Sequence, residues 1–150
     1  MRTVLVAALI LAAPLAAVPL ASGQTPAVSL ERTPSPAGAE AYIISPKDGA
    51  KVHGPVLVQF GLQGMGIAPA GVKMENTGHH HLLIDTEAPS DPGAPLPSTD
   101  KIVHFGKGQT ETTLQLSPGK HTLQLLLGDQ NHIPHNPPVM SKKITITVSP

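Results

Sequence analysis

The chain has 150 residues, with ten basic and ten acidic side chains, eight histidines, one tyrosine, two phenylalanines and no tryptophan or cysteine. This composition provides neither the basic patch nor the stacking aromatics of a nucleic-acid surface, and no charge run suited to a membrane surface. Without cysteine there can be no disulfide, no thiolate metal ligand and no cysteine nucleophile.

The first 23 residues have the pattern of a secretory signal. Arg2 supplies a positive charge, residues 4–20 are apolar, and residues 21–23 are small. Two prolines interrupt the apolar run, which argues against a membrane anchor, because a spanning helix needs about 20 strongly apolar residues. We expect a signal peptide over 1–23, a periplasmic or secreted protein, and no membrane insertion of the mature chain.

Residues 24–40 contain three prolines among small and polar side chains. Such a segment has too little apolar surface to fold alone and predicts a flexible linker. The remaining residues, 41–150, have the length of one small domain.

Apolar residues in this domain recur with a period of two, which is typical of half-buried strands. About seven short strands are predicted, at 41–45, 56–62, 79–85, 102–105, 112–116, 121–127 and 144–148. Four prolines between Ala88 and Ser98 predict an irregular loop. No stretch of the domain has sustained helical spacing, so the sequence predicts an all-β domain, an immunoglobulin-like β-sandwich.

Three consecutive histidines begin the strand predicted at 79–85. Side chains alternate between the two faces of a strand, so His79 and His81 project together, a spacing that lets two imidazoles share one metal ion. His80 projects the other way with Leu82 and Ile84. We expect it to be a packed, hydrogen-bonded core histidine rather than a ligand.

Further histidines lie in loops. His132 and His135 belong to a proline-stiffened loop that can present two rings together, although the rings can equally serve as hydrogen-bond partners for loop backbone. They meet His79 and His81 only if strands 79–85 and 121–127 run antiparallel. His104 precedes a glycine-rich turn and is a possible further ligand.

Other polar residues have more ordinary interpretations. His121 follows a turn and is expected to be a corner histidine hydrogen-bonded to backbone, and His53 is expected to be exposed. Asp85 and Asp129 can orient ligating histidines or supply an oxygen ligand, or can be ordinary carboxylates at strand ends and turns.

Three blocks resemble one known family: GHHHLLID at 78–85, HFGKGQTE at 104–111 and GDQNHIPHNPPV at 128–139. The chain is similar here to an uncharacterised family of small exported bacterial domains. The resemblance supports the domain boundary and export, and it implies no particular activity.

Two functional hypotheses follow. The first is a periplasmic domain that binds copper or zinc through neutral imidazoles. The alternative is a non-catalytic, immunoglobulin-like interaction module whose partner is a cell-envelope protein. An enzyme is the weakest hypothesis, because no nucleophile–base pair is recognisable. The candidate metal ligands are His79, His81, His104, His132 and His135.

Overall fold

The computed structural model describes residues 31–150. The predicted signal peptide and residues 24–30 of the predicted linker lie outside this range. The described chain has nine strands and no helix, and therefore no helix with the length and apolarity to cross a bilayer. The strands are β1 (Glu40–Ser45), β2 (Lys51–His53), β3 (Val56–Gln63), β4 (Gly66–Ile67), β5 (Thr77–Ile84), β6 (Ile102–His104), β7 (Glu111–Leu114), β8 (Gly119–Gly128) and β9 (Ile144–Ser149).

The strands form two sheets. One has three strands in the order β1-β3-β7. The other has six strands: the order β2-β9-β8-β5-β4, with β6 also pairing to β5. The predicted all-β class is confirmed, and two sheets are consistent with a β-sandwich, whereas the immunoglobulin-like strand order stays a prediction.

All seven predicted strands are present, with ends shifted by a few residues. The sequence did not predict β2 and β4, which have three and two residues and make parallel pairs with β9 and β5. Such short segments cannot establish a period of two, so only their long-range pairing reveals them. The loop predicted between Ala88 and Ser98 contains no strand.

The main core fills the space between the two sheets. Val58, Phe60, Leu82 and Leu125 are at most 4% exposed and belong to this one apolar cluster. Burying each such side chain stabilises the fold by about 1.5–3 kcal/mol relative to leaving it in water.

A second, smaller apolar cluster covers the opposite face of the six-stranded sheet. It contains Leu83 of β5, Leu126 of β8 and Leu96 of the proline-rich loop. Both faces of β5 are therefore buried. Leu83 shares its face with His79 and His81, so this pair lies beside the smaller cluster rather than in the main core.

Candidate metal centre

Strand β5 places two histidines at the centre of the six-stranded sheet. His79 and His81 are fully buried, and their ring centroids are 4.9 Å apart. The antiparallel pairing of β5 with β8 sets His79 opposite Gly128, where β8 ends and the histidine-bearing loop begins. The antiparallel arrangement on which the metal hypothesis depended is thus confirmed.

Strand β6 brings in the third histidine from the other side of β5. His104 is directly opposite His81 in the β5–β6 pairing, and their ring centroids are 5.1 Å apart. Gly106 makes room for this ring: a Cβ atom there would lie 2.2 Å from Cε1 and 2.4 Å from Nε2 of His104. A side chain at position 106 is therefore incompatible with the observed position of His104.

The loop after β8 supplies the fourth histidine in an unusual backbone conformation. His132 has φ of +65°, in the left-handed region that non-glycine residues rarely occupy. Its N–H donates to the Asp129 carbonyl oxygen at 2.9 Å, and its own carbonyl accepts from Leu96 N at 2.8 Å. Gly128 again provides space, since a Cβ there would lie 2.8 Å from His81 Cε1 and 3.3 Å from His132 Cα.

The four rings converge on one point. Each of His79, His81, His104 and His132 offers a ring nitrogen, and these four atoms lie within 4.8 Å of one another. His79 Nε2 and His132 Nδ1 are 3.2 Å apart. Nitrogens bound to zinc at about 2.0–2.1 Å in a tetrahedral shell are about 3.4 Å apart. The His79–His132 pair already has about the spacing of a tetrahedral shell, whereas nitrogens as far apart as 4.8 Å would have to approach by about 1.4 Å around an ion.

The electrostatic environment keeps the inner rings neutral. Burial, with the neighbouring His104 and His132 rings, lowers the pKa of His79 to about 4, although Asp129 acts in the opposite direction. Burial and the other three rings lower the pKa of His81 to about 3. The pKa of His104 is also lowered, mainly by burial. Neutral imidazole is the form that binds a metal, so these rings are ready to ligate at pH 7.

Three rings of the cluster carry a buried nitrogen without a protein partner. Among the described residues, at least one buried ring nitrogen on each of His79, His81 and His104 has no hydrogen bond. A buried polar atom without a partner costs about 1–3 kcal/mol. A coordinated metal ion would give one nitrogen of each ring a partner, including a nitrogen of His81, whose ring has none in the protein.

The fifth predicted ligand is not part of this cluster. His135 is fully buried, but its Nε2–H donates to the Thr77 carbonyl oxygen at 3.2 Å, and its ring packs against Gly78. Its pKa is lowered mainly by burial. The structure thus brings together four of the five candidate ligands and holds His135 to one side as a packing residue of the loop.

The remaining histidines lie where they were expected, with one correction. His53 is exposed, and His121 donates to the Ser117 carbonyl oxygen at 2.8 Å, as a corner histidine should. His80 lies in the core, with its ring centroid 5.2 Å from that of Phe60. The prediction that His80 is hydrogen-bonded is wrong for the described residues, because both of its buried ring nitrogens lack a partner there.

Three residues that shape the site were missed or left undecided by the sequence. Gly106 and Gly128 admit the rings of His104 and His81, and the only sequence signal is their closeness to candidate ligands. Asp129 is 1% exposed, and its Oδ1 accepts from the N–H of Asn131 at 2.8 Å and of Ile133 at 3.0 Å. It therefore orders the loop that carries His132.

The chain belongs to the family described as a domain of unknown function, DUF4399, whose model matches residues 58–149. The resemblance to an uncharacterised family is thereby confirmed. No curated protein matches the chain. Among solved structures, the X-ray structure of the endo-beta-1,4-mannanase from Thermotoga petrophila is similar over 74% of this chain, with 18% sequence identity and a TM-score of 0.43. This chain spans only 20% of that chain.

Proposed function

We propose that this domain binds one copper or zinc ion through His79, His81, His104 and His132. The observation that carries the proposal is the convergence of four imidazole nitrogens within 4.8 Å, on rings of which three carry a buried nitrogen without a protein partner. Packing alone does not account for this arrangement, because buried polar atoms without a partner destabilise a fold unless something binds the rings that carry them.

The donor set favours these two metals. Four uncharged nitrogen donors, without sulfur or carboxylate oxygen in the cluster, suit tetrahedral Zn(II) or a nitrogen-rich Cu(II) site. With four protein ligands, a tetrahedral shell is complete and has no open position for a substrate. The geometry therefore supports holding or carrying the ion rather than metal-assisted hydrolysis.

The burial of the ligands suggests how the ion enters. His79 and His81 are buried on the central strand, whereas His104 and His132 are partly exposed. An ion arriving from solvent would meet the outer pair first and then reach the inner pair. A site with such access can exchange its ion, as a storage or delivery protein requires.

The test is a calorimetric titration of the untagged protein with Cu(II) and with Zn(II) near pH 7.5. We expect one ion per chain with a Kd of roughly 1 μM or less. His132→Ala should lose most of this affinity, because it removes a ligand from a partly exposed loop position. His53→Ala is the matched control: it removes an exposed histidine outside the cluster and should bind as the unaltered protein does.

Two results would contradict the proposal. One is weak, nonstoichiometric binding of both metals by the unaltered protein, which would favour the interaction-module hypothesis instead. The other is an equal loss of affinity in His53→Ala and His132→Ala, which would mean that the metal binds histidines at the surface without using the cluster.

We also propose that the protein acts in the periplasm or outside the cell, on the support of the signal-like residues 1–23. Fractionation of expressing cells should recover the protein outside the cytoplasm, with its N-terminus near Gln24. Recovery of the uncleaved chain from the cytoplasm would contradict this.

A further inference from the structure

A short segment at the start of the described chain lies against the histidine-bearing loop. This segment, residues 32–35, is called the strap here. Ser35 N donates to the Asn136 carbonyl oxygen at 3.1 Å, and Asn136 N donates to the Thr33 carbonyl oxygen at 2.9 Å. The Arg32 side chain adds hydrogen bonds to two further carbonyls of the same loop. Part of the predicted linker is thus docked on the domain.

One side chain of the strap reaches the residue that orders the loop. Thr33 Oγ1 donates to Asp129 Oδ2 at 2.6 Å. The other carboxylate oxygen of Asp129 accepts from Asn131 N and Ile133 N, the residues on either side of His132. The backbone of Asp129 also accepts from His132 N. A continuous chain of hydrogen bonds therefore runs from the strap to a candidate ligand.

The backbone of His132 needs this support. A non-glycine residue in the left-handed region costs roughly 1–3 kcal/mol and persists only where its surroundings fix it. Without the Thr33 hydroxyl, Asp129 Oδ2 would lose its partner while the residue is 1% exposed. The carboxylate would then turn toward another donor or admit water, which would disturb its bonds to Asn131 and Ile133.

We propose that the strap is part of the metal centre, with Thr33 as a positioning residue that acts through Asp129 to hold His132 in place for the ion. The inference rests on the proposed metal-binding function. It assigns a role to a residue outside the segment matched by the family model, which begins at residue 58. Thr33 does not touch the ion, so its effect is on ligand geometry.

The test compares three single variants of the untagged protein with Cu(II) as the probe. Thr33→Val keeps the side-chain shape and removes the hydroxyl, whereas Thr33→Ser retains the hydroxyl. Ser35→Ala is the matched control, because it removes a strap hydrogen bond of 2.7 Å to the Pro137 carbonyl oxygen that is not in the chain leading to His132. Affinity is measured by competition with a chelator, and the Cu(II) electron paramagnetic resonance spectrum reports the ligand geometry.

We expect Thr33→Val to weaken Cu(II) binding about tenfold and to change the spectrum, while Thr33→Ser and Ser35→Ala stay within about twofold of the unaltered protein. Thermal unfolding of each metal-free variant shows whether it is folded at the temperature of the titration. If Thr33→Val unfolds, Asp129→Asn, which weakens acceptance of the Thr33 hydrogen bond, is compared in its place.

The outcomes separate the two proposals. If the unaltered protein and Thr33→Val bind Cu(II) equally, the positioning role is refuted and the metal site stands. If Ser35→Ala loses as much affinity as Thr33→Val, the strap acts only as general packing, and the role of Thr33 is again refuted. If the unaltered protein does not bind, both proposals fail together.

Discussion

The buried ring of His80 makes the stability of the domain depend on pH. This ring is 1% exposed, packs edge-on against Phe60, and has no hydrogen-bond partner among residues 31–150. Burial lowers its pKa from 6.5 to about 4. In the unfolded chain, imidazole takes up a proton as the pH falls through about 6.5, whereas the folded ring stays neutral until about pH 4. The folded state therefore loses stability across this window.

The size of the effect follows from the two pKa values. Each tenfold difference in proton affinity is worth about 1.4 kcal/mol, so the contribution of His80 that is present above pH 6.5 and lost by pH 4 is about 3 kcal/mol. The substitution His80→Leu keeps an apolar side chain of similar volume and removes the titrating group. At pH 7.5 the variant should be at least as stable, because an unpartnered polar ring is replaced by an apolar one.

The assay is urea unfolding followed by circular dichroism, with a chelator present, at several pH values from 7.5 to 4. Unaltered protein should lose about 3 kcal/mol more than His80→Leu over this range. The other titrating groups are common to both chains and cancel in the difference. His53→Leu, at an exposed histidine, is the control and should follow the unaltered protein. Identical pH dependence of His80→Leu and the unaltered protein would refute a neutral, unpartnered His80 in the core.

Three further predictions concern the site and its surroundings. Gly106→Ala should weaken metal binding by at least about tenfold, because the new Cβ occupies the position of the His104 ring; equal affinity in a calorimetric titration would contradict this. His135→Ala should keep the one-to-one metal stoichiometry but lower the free energy of unfolding by about 2–4 kcal/mol, because it empties a buried position, and loss of stoichiometry in a folded variant would show that this ring is a ligand. Asp85→Asn should destabilise the domain most between about pH 4 and 6.5. The pKa of His121 is raised, first by its 2.7 Å hydrogen bond to Asp85, and the stability that this raised pKa gives is lost as the pH rises through it. Urea unfolding near pH 5.5 and 8.5 measures this difference, and an equal loss at both values would contradict it.

The ionisation of Asp85 sets the lower pH limit of the stabilisation by the Asp85–His121 pair. Burial by itself raises its pKa, but hydrogen bonds from the His121 ring and from Thr122 N outweigh burial and lower it below 3.8. The stabilisation from this lowered pKa is present above pH 3.8 and is lost as the pH falls through the folded value. Both members of the pair are therefore charged between these two folded pKa values, from below pH 3.8 to above pH 6.5.

Local patterns in the sequence predicted the features that depend only on the geometry of a single strand. The period of two identified the long strands, and alternation placed His79 and His81 on one face with His80 on the other. The spacing of His104 in the sequence did not predict that it lies beside His79 and His81, because this residue reaches the site only through the pairing of β6 with β5. Such pairings join segments that are distant in the chain, and no local period encodes them.

The loop histidines show a second limit. Residues 132 and 135 were equally plausible ligands, because a three-residue separation in a loop does not determine where either ring points. The direction of the His132 ring depends on its left-handed backbone and on Asp129. The hydrogen bonds of the Asp129 side chain with Asn131, Ile133 and Thr33 are visible only in the folded structure. A loop conformation that depends on Thr33, nearly 100 positions away in the chain, cannot be predicted from the local sequence.

The division of the site into inner and outer ligands predicts which parts move when the ion binds. His79 and His81 lie on β5, which is hydrogen-bonded to neighbouring strands on both sides, so their backbone cannot shift without breaking the sheet. His104 is held by the same β5–β6 pairing, so contraction of the cluster toward about 3.4 Å between nitrogens must come mainly from the loop that carries His132 and from rotation of the His104 side chain.

Amide hydrogen exchange of the protein with and without Cu(II) measures this directly. Bound metal should slow exchange in the turn 104–108 and the loop 129–133, because the ion would tie both segments to β5 through His104 and His132 and so hinder their local opening. Exchange in β5, already slow because both faces of the strand are buried, should change little. Protection gained mainly in β5, with the turn and the loop unchanged, would mean that the ion binds by rearranging the sheet, and the rigid inner pair described here would be wrong.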